Sequence, residues 1–206
     1  MLLGPPGAGK GTMAALIREC AGLSVFVTGD MLRREIESQS DLGCRIKTDV
    51  ETGRLVDDET VLTLVKGFLS AHREGVIFDG FPRTLNQAEG LRSLVSNGDM
   101  LRVIYLETAE STIFARLGAR RVCPDCGKIY NLRFSPPVKN EQCDECHTTL
   151  IRRKDDTDEV IRDRIDVYEK ETAPLVDYFS DVLLKVDGNL RAPEVFETIR
   201  GKLCQE

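Results

Sequence analysis

The sequence lacks any apolar run long enough to cross a bilayer, and its N-terminal stretch does not read as a signal peptide. Internal repeats and low-complexity tracts are also missing, which excludes a repeat array and a disordered linker. These absences set the expectation of a cytoplasmic protein. Positive charge is not in excess. The net charge of −6 argues against a surface built throughout for nucleic acid. A disulfide framework is not expected either, although there are seven cysteines. Cys20, Cys44 and Cys204 are scattered, and each reads as a buried or free thiol. What remains is ordinary for a globular chain: 206 residues, 41% hydrophobic and 30% charged, enough for one domain with small inserted lobes. The cations are unbalanced, with 19 Arg against 9 Lys. Arginine's planar fork matches paired phosphate oxygens, though it is also common on solvated helix faces.

Short apolar runs alternate with amphipathic stretches. Met1–Leu3, Ser24–Val27, Val76–Phe78, Leu101–Leu106 and Val182–Val186 read as strands. Lys10–Ala21, Asp58–Ala71, Thr84–Val95 and Ala192–Leu203 read as helices, and residues 28–56 carry shorter helical stretches. Thr108 is expected to cap a helix reaching about Arg120. Asp156 with Glu159 resembles a capping box opening a helix through Glu171, and Pro174 should break or kink it. Strands separated by helices predict an α/β fold with a parallel sheet covered on both faces. Between Val122 and Leu150 the pattern shifts to cysteines, adjacent prolines and short alternating runs, which suggests small hairpins.

The segment Gly4-Pro5-Pro6-Gly7-Ala8-Gly9-Lys10-Gly11-Thr12 follows the first strand and opens the first helix. That context is the one a phosphate-binding loop requires. Glycines let successive amides converge on one anion, and the helix N-terminus adds positive potential. Lys10 reaches the outer phosphates as a point charge. The general motif has Ser or Thr directly after the lysine, whereas here Gly11 stands there and Thr12 follows. The bland alternative is a glycine-rich turn with no ligand.

Ligands of open parallel sheets sit outside the carboxyl ends of the strands. Thr28-Gly29-Asp30-Met31-Leu32-Arg33 follows the second strand, and Asp79-Gly80-Phe81-Pro82-Arg83-Thr84 follows the third. Asp79 could hold a magnesium ion through water, and Arg33 and Arg83 could grip a second phosphate. Gln87, one helical turn beyond Arg83, could read a base edge. Alone, each arginine could equally be a surface residue, Gln87 a surface amide and Asp79 a helix cap.

Cys123-Pro-Asp-Cys126 and Cys143-Asp-Glu-Cys146 stand 16 residues apart. Two such pairs make two knuckles that supply four thiolates to a tetrahedral ion. Four sulfurs leave no open coordination position, so the metal should be structural, with zinc the default and iron able to occupy the same sulfurs. It would stand in for a hydrophobic core that so short a lobe cannot build. His147 adjoins Cys146 and reads as a solvent-facing neighbour rather than a ligand, and His72 shows no partner. Four free thiols are the bland alternative.

Taken together, these segments closely resemble an adenylate kinase, the long-lid bacterial form with a four-cysteine lid. The resemblance extends through Arg120-Arg121, Arg153-Lys154-Asp155-Asp156, Arg162-Asp163-Arg164 and Val186-Asp187-Gly188, and covers essentially the whole chain. The run from Asp79 to Thr84 is highly specific to nucleoside monophosphate kinases. The resemblance implies the P-loop nucleoside monophosphate kinase fold: a five-stranded parallel sheet flanked by helices, with residues 1–27, 57–118 and 157–206 as core. It implies a helical AMP-binding lobe over 28–56 and a small β zinc lid over 119–156. It implies that Gly7, Ala8, Gly9, Lys10, Gly11, Thr12, Arg116, Arg120, Ile129, Tyr130 and Leu190 meet ATP, Leu190 through its backbone. AMP would meet Thr28, Arg33, Arg54, Leu55, Val56, Gly80, Phe81, Pro82, Arg83, Gln87, Arg153 and Arg164. Members of the family usually begin several residues earlier, so Met1–Leu3 is expected to be a short first strand.

The implied reaction is reversible phosphoryl transfer from MgATP to AMP, giving two ADP. Lys10, Arg33, Arg83, Arg120, Arg153 and Arg164 would be the catalytic set, working by positioning and charge stabilisation. No histidine or carboxylate need act as general base, because the acceptor phosphate is already anionic. Hinges are expected near Ala119–Arg121 and Asp155–Asp156. The expected partners are ATP and AMP or ADP, with no nucleic acid and no membrane, and the family expectation is a monomer. Two alternatives stay open. One is a kinase for another monophosphate. The other is a nucleotide-dependent nucleic-acid-binding protein with the cysteine lobe as a zinc ribbon; Tyr130, Arg133 and Phe134 favour it, whereas Asp125, Glu141, Asp144 and Glu145 oppose it.

Overall fold

The computed structural model describes residues 1–72, 74–95 and 99–203, so Cys204 lies outside the described residues. In chain order the elements are β1 (Leu2–Leu3), α1 (Lys10–Ala21), β2 (Ser24–Val27), α2 (Thr28–Glu37), α3 (Asp41–Thr52), α4 (Asp58–Ala71), β3 (Val76–Asp79), α5 (Leu85–Leu94) and β4 (Val103–Glu107). They continue with α6 (Glu110–Gly118), β5 (Arg120–Val122), β6 (Ile129–Asn131), α7 (Asp158–Val167), α8 (Leu175–Tyr178), β7 (Leu183–Asp187) and α9 (Ala192–Leu203). A 3-10 turn over Lys154–Asp156 precedes α7, and a π-helical turn over Tyr168–Thr172 follows it. No helix among the described residues is long and apolar enough to cross a membrane.

Five strands form one parallel sheet in the order β2-β3-β1-β4-β7. This is the P-loop nucleoside monophosphate kinase fold expected from the sequence. Short as it is, β1 sits at the centre, with Leu2 opposite both Asp79 and Ile104 and Leu3 opposite Tyr105. Successive side chains of a strand point to opposite faces, and this strand uses both. Leu2 joins Ile104, Leu106 and Val186 under α1 and α9, whereas Leu3 joins Ala88, Val103, Leu175 and Phe179 on the other face. The order of the sheet reverses at β1, because β3 and β4 flank it on opposite sides. The loop that leaves β1 therefore opens into the crevice where parallel sheets bind ligands.

The caps explain several element ends. Gly22 ends α1 in the left-handed conformation (φ 67°) that glycine adopts without Cβ strain, its amide donating to Arg18 O at 2.8 Å. Ser40, Asp57 and Thr84 cap α3, α4 and α5 by accepting from Gly43, Thr60 and Gln87 amides.

Three sequence expectations are corrected. Thr108 does not cap α6: its hydroxyl donates to Leu106 O at 3.3 Å, and the Ala109 amide is satisfied by Asn189 Oδ1 at 2.9 Å, a partner 80 residues away. The helix ends at Gly118, so Arg120 falls on β5. Asp156 does not open α7. Thr157 does, accepting from the Val160 amide, because the Asp156 carboxylate is committed to Arg120. Finally, the α-helical hydrogen bonding of α7 stops at Val167, before the expected Glu171, and widens into the π turn. That widening accommodates Pro174, which has no amide hydrogen to donate and caps α8 instead.

Residues 120–151 build their own small centre. β5 and β6 pair antiparallel, with further bridges Val122 to Ile151 and Gln142 to Thr149. Their core is Cys123, Tyr130, Cys143 and Leu150.

Candidate active site

The loop after β1 folds tightly back on itself. The Ala8 amide donates to Pro5 O at 3.2 Å, and Met13 N continues the turn into α1 by donating to Gly9 O at 3.0 Å. Gly7 takes a positive φ of 78°, and a Cβ there would lie 2.9 Å from Leu117 Cγ, so both conformation and space demand glycine. The Lys10 ammonium curls over the loop and donates to Gly4 O at 2.7 Å and Pro5 O at 2.8 Å. Gly11 has a steric reason too: a Cβ at this position would stand 3.2 Å from Asp79 Oδ2. A side chain directly after the lysine would crowd the carboxylate at the end of β3.

Around this loop lies a crevice of about 1500 Å³. All the residues expected to meet ATP line it: Gly7 to Thr12, Arg116, Arg120, Ile129, Tyr130 and Leu190. Arg116 bridges the loop and the β7–α9 connection, donating to Ala8 O and Leu190 O at 3.1 Å each. Tyr130 contributes little side chain to the crevice. It is buried in the cysteine lobe, its hydroxyl 3.4 Å from Cys143 Sγ and accepting from the Asp144 amide at 2.8 Å.

A second, smaller pocket of about 60 Å³ opens beside it. Thr28, Arg33, Arg54, Leu55, Val56, Gly80, Arg83, Gln87 and Arg164, nine of the residues expected from the sequence to meet AMP, line it. Pro82 and Arg153 face the larger crevice instead. Phe81 faces neither: it is 1% exposed and packs on Phe26 and Phe78. The Phe81–Pro82 peptide is cis. Arg33, Arg83 and Arg164 line both pockets and join them.

The arginines are held by acids that sequence reasoning did not assign. Arg33 pairs with Asp30 at 2.5 Å, and Arg153 approaches the same carboxylate at 3.9 Å. Arg120 makes a two-pronged pair with the fully buried Asp156 at 2.5 and 2.7 Å. Arg164 donates to Asp155 O at 3.0 Å and to its carboxylate at 3.1 Å. Arg83 is braced along its backbone and side chain, its Nε donating to Gly80 O at 2.9 Å and its carbonyl accepting from Thr172 Oγ1 at 2.8 Å. The adjacent acidic pair Asp155-Asp156 was the available signal; nothing in the sequence points from Thr172 to Arg83.

So many cations in one partly buried space repel one another. Burial, followed by Arg83, Arg164 and Arg120, pushes the Lys10 ammonium down to about 8, while Asp79 opposes the shift. Burial and neighbouring arginines bring the Arg83 and Arg153 guanidinia down to about 10. Asp79 is raised by burial against the pull of Lys10 and Arg83. An anion entering the crevice relieves this repulsion, which makes the site receptive to polyphosphate. No described residue donates a hydrogen bond to the Asp79 carboxylate, although the Lys10 charge is the strongest of those that favour its ionised form. An oxygen donor left open toward the crevice fits a hydrated magnesium ion.

The four cysteines of the lobe converge, all four sulfurs lying within 4.8 Å of one another. Cys123 and Cys146 sulfurs are 3.2 Å apart, Cys126 and Cys143 3.5 Å, and Cys146 and Cys126 3.8 Å. Sulfurs at about 2.3 Å from a tetrahedral zinc stand about 3.8 Å apart, so this cage fits the ion with small adjustments. The two knuckles match: Gly127 N donates to Cys123 O, His147 N donates to Cys143 O, and both Gly127 and His147 have positive φ. His147 is exposed and outside the sulfur cluster, so its position serves the turn.

Comparison with known proteins agrees with this geometry. The family model described as "Adenylate kinase" matches residues 2–183. An adenylate kinase of Clostridium novyi (strain NT) is 42% identical over 209 residues, which cover 98% of this chain and 97% of that one. Adenylate kinases of Clostridium kluyveri and Kosmotoga olearia are each 40% identical, covering 98% and 97% of this chain and 96% and 95% of theirs. With a family match over most of its length and relatives aligned nearly end to end, the chain belongs to the adenylate kinase family.

Proposed function

We propose that the protein transfers the terminal phosphoryl group of MgATP to AMP, reversibly, giving two ADP in the service of adenine nucleotide balance. One observation carries the reading: two pockets, one against the phosphate loop and one against residues 28–56, share Arg33, Arg83 and Arg164. A donor in the first and an acceptor in the second would meet at those guanidinia.

Lys10 and the loop amides hold the donor phosphates, and Arg116 steadies the loop. Arg33 and Arg83 hold the acceptor phosphate, whose anionic oxygen attacks the terminal phosphorus in line while the bond to the bridging oxygen breaks. Arg120, Arg153 and Arg164 face the oxygens on which negative charge spreads in the transition state. In this structure Asp30, Asp155 and Asp156 keep them gathered, and substrate phosphate would compete for them. Asp79 would hold magnesium through water, and the ion would screen and orient the donor phosphates. Cys123, Cys126, Cys143 and Cys146 would hold zinc as a structural ion, stiffening residues 119–156 into a lid that moves as one piece on hinges near 119–121 and 155–156. Its closure would exclude water, the competing acceptor. Residues 28–56 would form the AMP-binding lobe. The cytoplasm is the compartment in which such a free cysteine set and soluble nucleotides fit.

The test is ADP formation from MgATP with AMP, GMP, UMP and CMP supplied in turn. Preference for AMP is the expected result. Turnover with another monophosphate in preference to AMP would reassign the acceptor, and turnover with none would remove the reading.

A further inference from the structure

We propose that Asp58 fixes which edge Gln87 presents in the acceptor pocket, and so makes the pocket select amino bases over oxo bases. The inference rests on the acceptor-site reading above and deepens it.

Gln87 is 2% exposed and lines the smaller pocket. A carboxamide can ordinarily rotate by half a turn and exchange its acceptor and donor ends. Here both ends are assigned by chemistry. The Arg83 amide can only donate, so its partner at 2.8 Å is Gln87 Oε1. The Asp58 carboxylate can only accept, so its partner at 2.7 Å is Gln87 Nε2. Asp58 is itself oriented by Thr84 Oγ1, which donates to the same oxygen at 2.9 Å, and Thr84 also caps the helix that carries Gln87. Rotating the amide would set donor against donor at Arg83 and acceptor against acceptor at Asp58.

Each end of the amide keeps one unused capacity: a second lone pair on Oε1 and a second hydrogen on Nε2. Gln87 thus offers an acceptor and a donor side by side in fixed order. Adenine and cytosine present the complement, an amino group beside a ring nitrogen acceptor. Guanine and uracil present a carbonyl beside a ring N–H, which needs the rotated amide. The Arg83 amide belongs to the main chain, so Asp58 is the half of this restraint that a side-chain change removes. Ring size, not amide polarity, would separate AMP from CMP.

The experiment is kcat/KM at saturating MgATP with AMP, GMP and CMP for the native chain and for Asp58→Asn, whose amide can donate as well as accept. The GMP:AMP ratio is expected to rise about fivefold or more, the cost of one unsatisfied polar contact being removed, while the CMP:AMP ratio stays level. A pocket that is merely loosened lowers AMP and GMP together, and an unchanged GMP:AMP ratio overturns the proposal alone. A native chain that uses none of the acceptors overturns the acceptor-site reading and this inference with it. If Asp58→Asn does not fold, NMR of the native chain decides. One Gln87 side-chain amide proton is expected to be strongly protected from solvent exchange, and exchange of both at the rate of exposed glutamines overturns the proposal.

Discussion

At the scale of single residues, the site is a balance of charges held close together. Lys10 is the clearest case, because its ammonium is pushed down to about 8 by burial and three arginines. The sign follows from the depressed value. Between about 8 and its ordinary value of 10.5 the unfolded chain holds this proton and the nucleotide-free folded chain does not. The cost of keeping the charge is therefore present below about 8 and fades as pH rises above it. Donor phosphates bound at the loop would raise the value again, so binding would take up a proton above about pH 8. ATP affinity should be flat around neutral pH and fall by up to about tenfold per pH unit above 8. Calorimetry in buffers of differing ionisation heat reads both the affinity and the proton uptake. Lys10→Ala should reduce kcat by about 10²–10³-fold, as loss of one preorganised donor does, in steady-state assays on a folded variant. Much of this chemistry was legible: the loop, the arginines and the cysteines are motifs, and motifs survive in one dimension. Their restraints were not. Asp58 on Gln87, Thr172 on Arg83 and Asp30 on Arg153 join residues distant in sequence. Tyr130 is the complementary case, because its place in the lid run hid its burial against Cys143.

At the scale of elements, β1 serves both layers of the core, because it lies between β3 and β4 at the centre of the sheet. Leu2 and Leu3 are each 2% exposed and feed different faces of the sheet. Leu3→Ala should cost about 2–5 kcal/mol, read as a lower urea midpoint at unchanged slope. In the proposed function the cysteine lobe would depend on a different device, a bound metal, since its core holds only Cys123, Tyr130, Cys143 and Leu150. Stripping the metal, with loss verified by elemental analysis, should lower the melting temperature by about 5 °C or more. An unchanged melting curve would remove the structural role of the ion. Strands and long helices were readable from periodicity, because α9 spans the expected Ala192–Leu203 and α1 the expected Lys10–Ala21. Ends that depend on tertiary partners were not. Asn189 satisfies Ala109, and Arg120 removes Asp156 from capping duty.

At the scale of the molecule, the sheet places two pockets side by side, with Arg33, Arg83 and Arg164 common to both, and the proposed function makes one the donor pocket and the other the acceptor pocket. The fold class was legible because five apolar runs alternate with helices, and a parallel sheet is the arrangement that buries both faces of such runs. The joining of the pockets was not, because Arg33 comes from α2, Arg83 from the connection between β3 and α5, and Arg164 from α7, far apart in sequence. The account predicts direct transfer between two bound nucleotides with water shut out. Phosphorus NMR of the protein with MgATP and AMP tests this most directly. Two ADP should form for each AMP consumed, inorganic phosphate should stay at background, and the same equilibrium should be reached from ADP alone. Release of inorganic phosphate without ADP disproportionation, or no change in AMP, would contradict it.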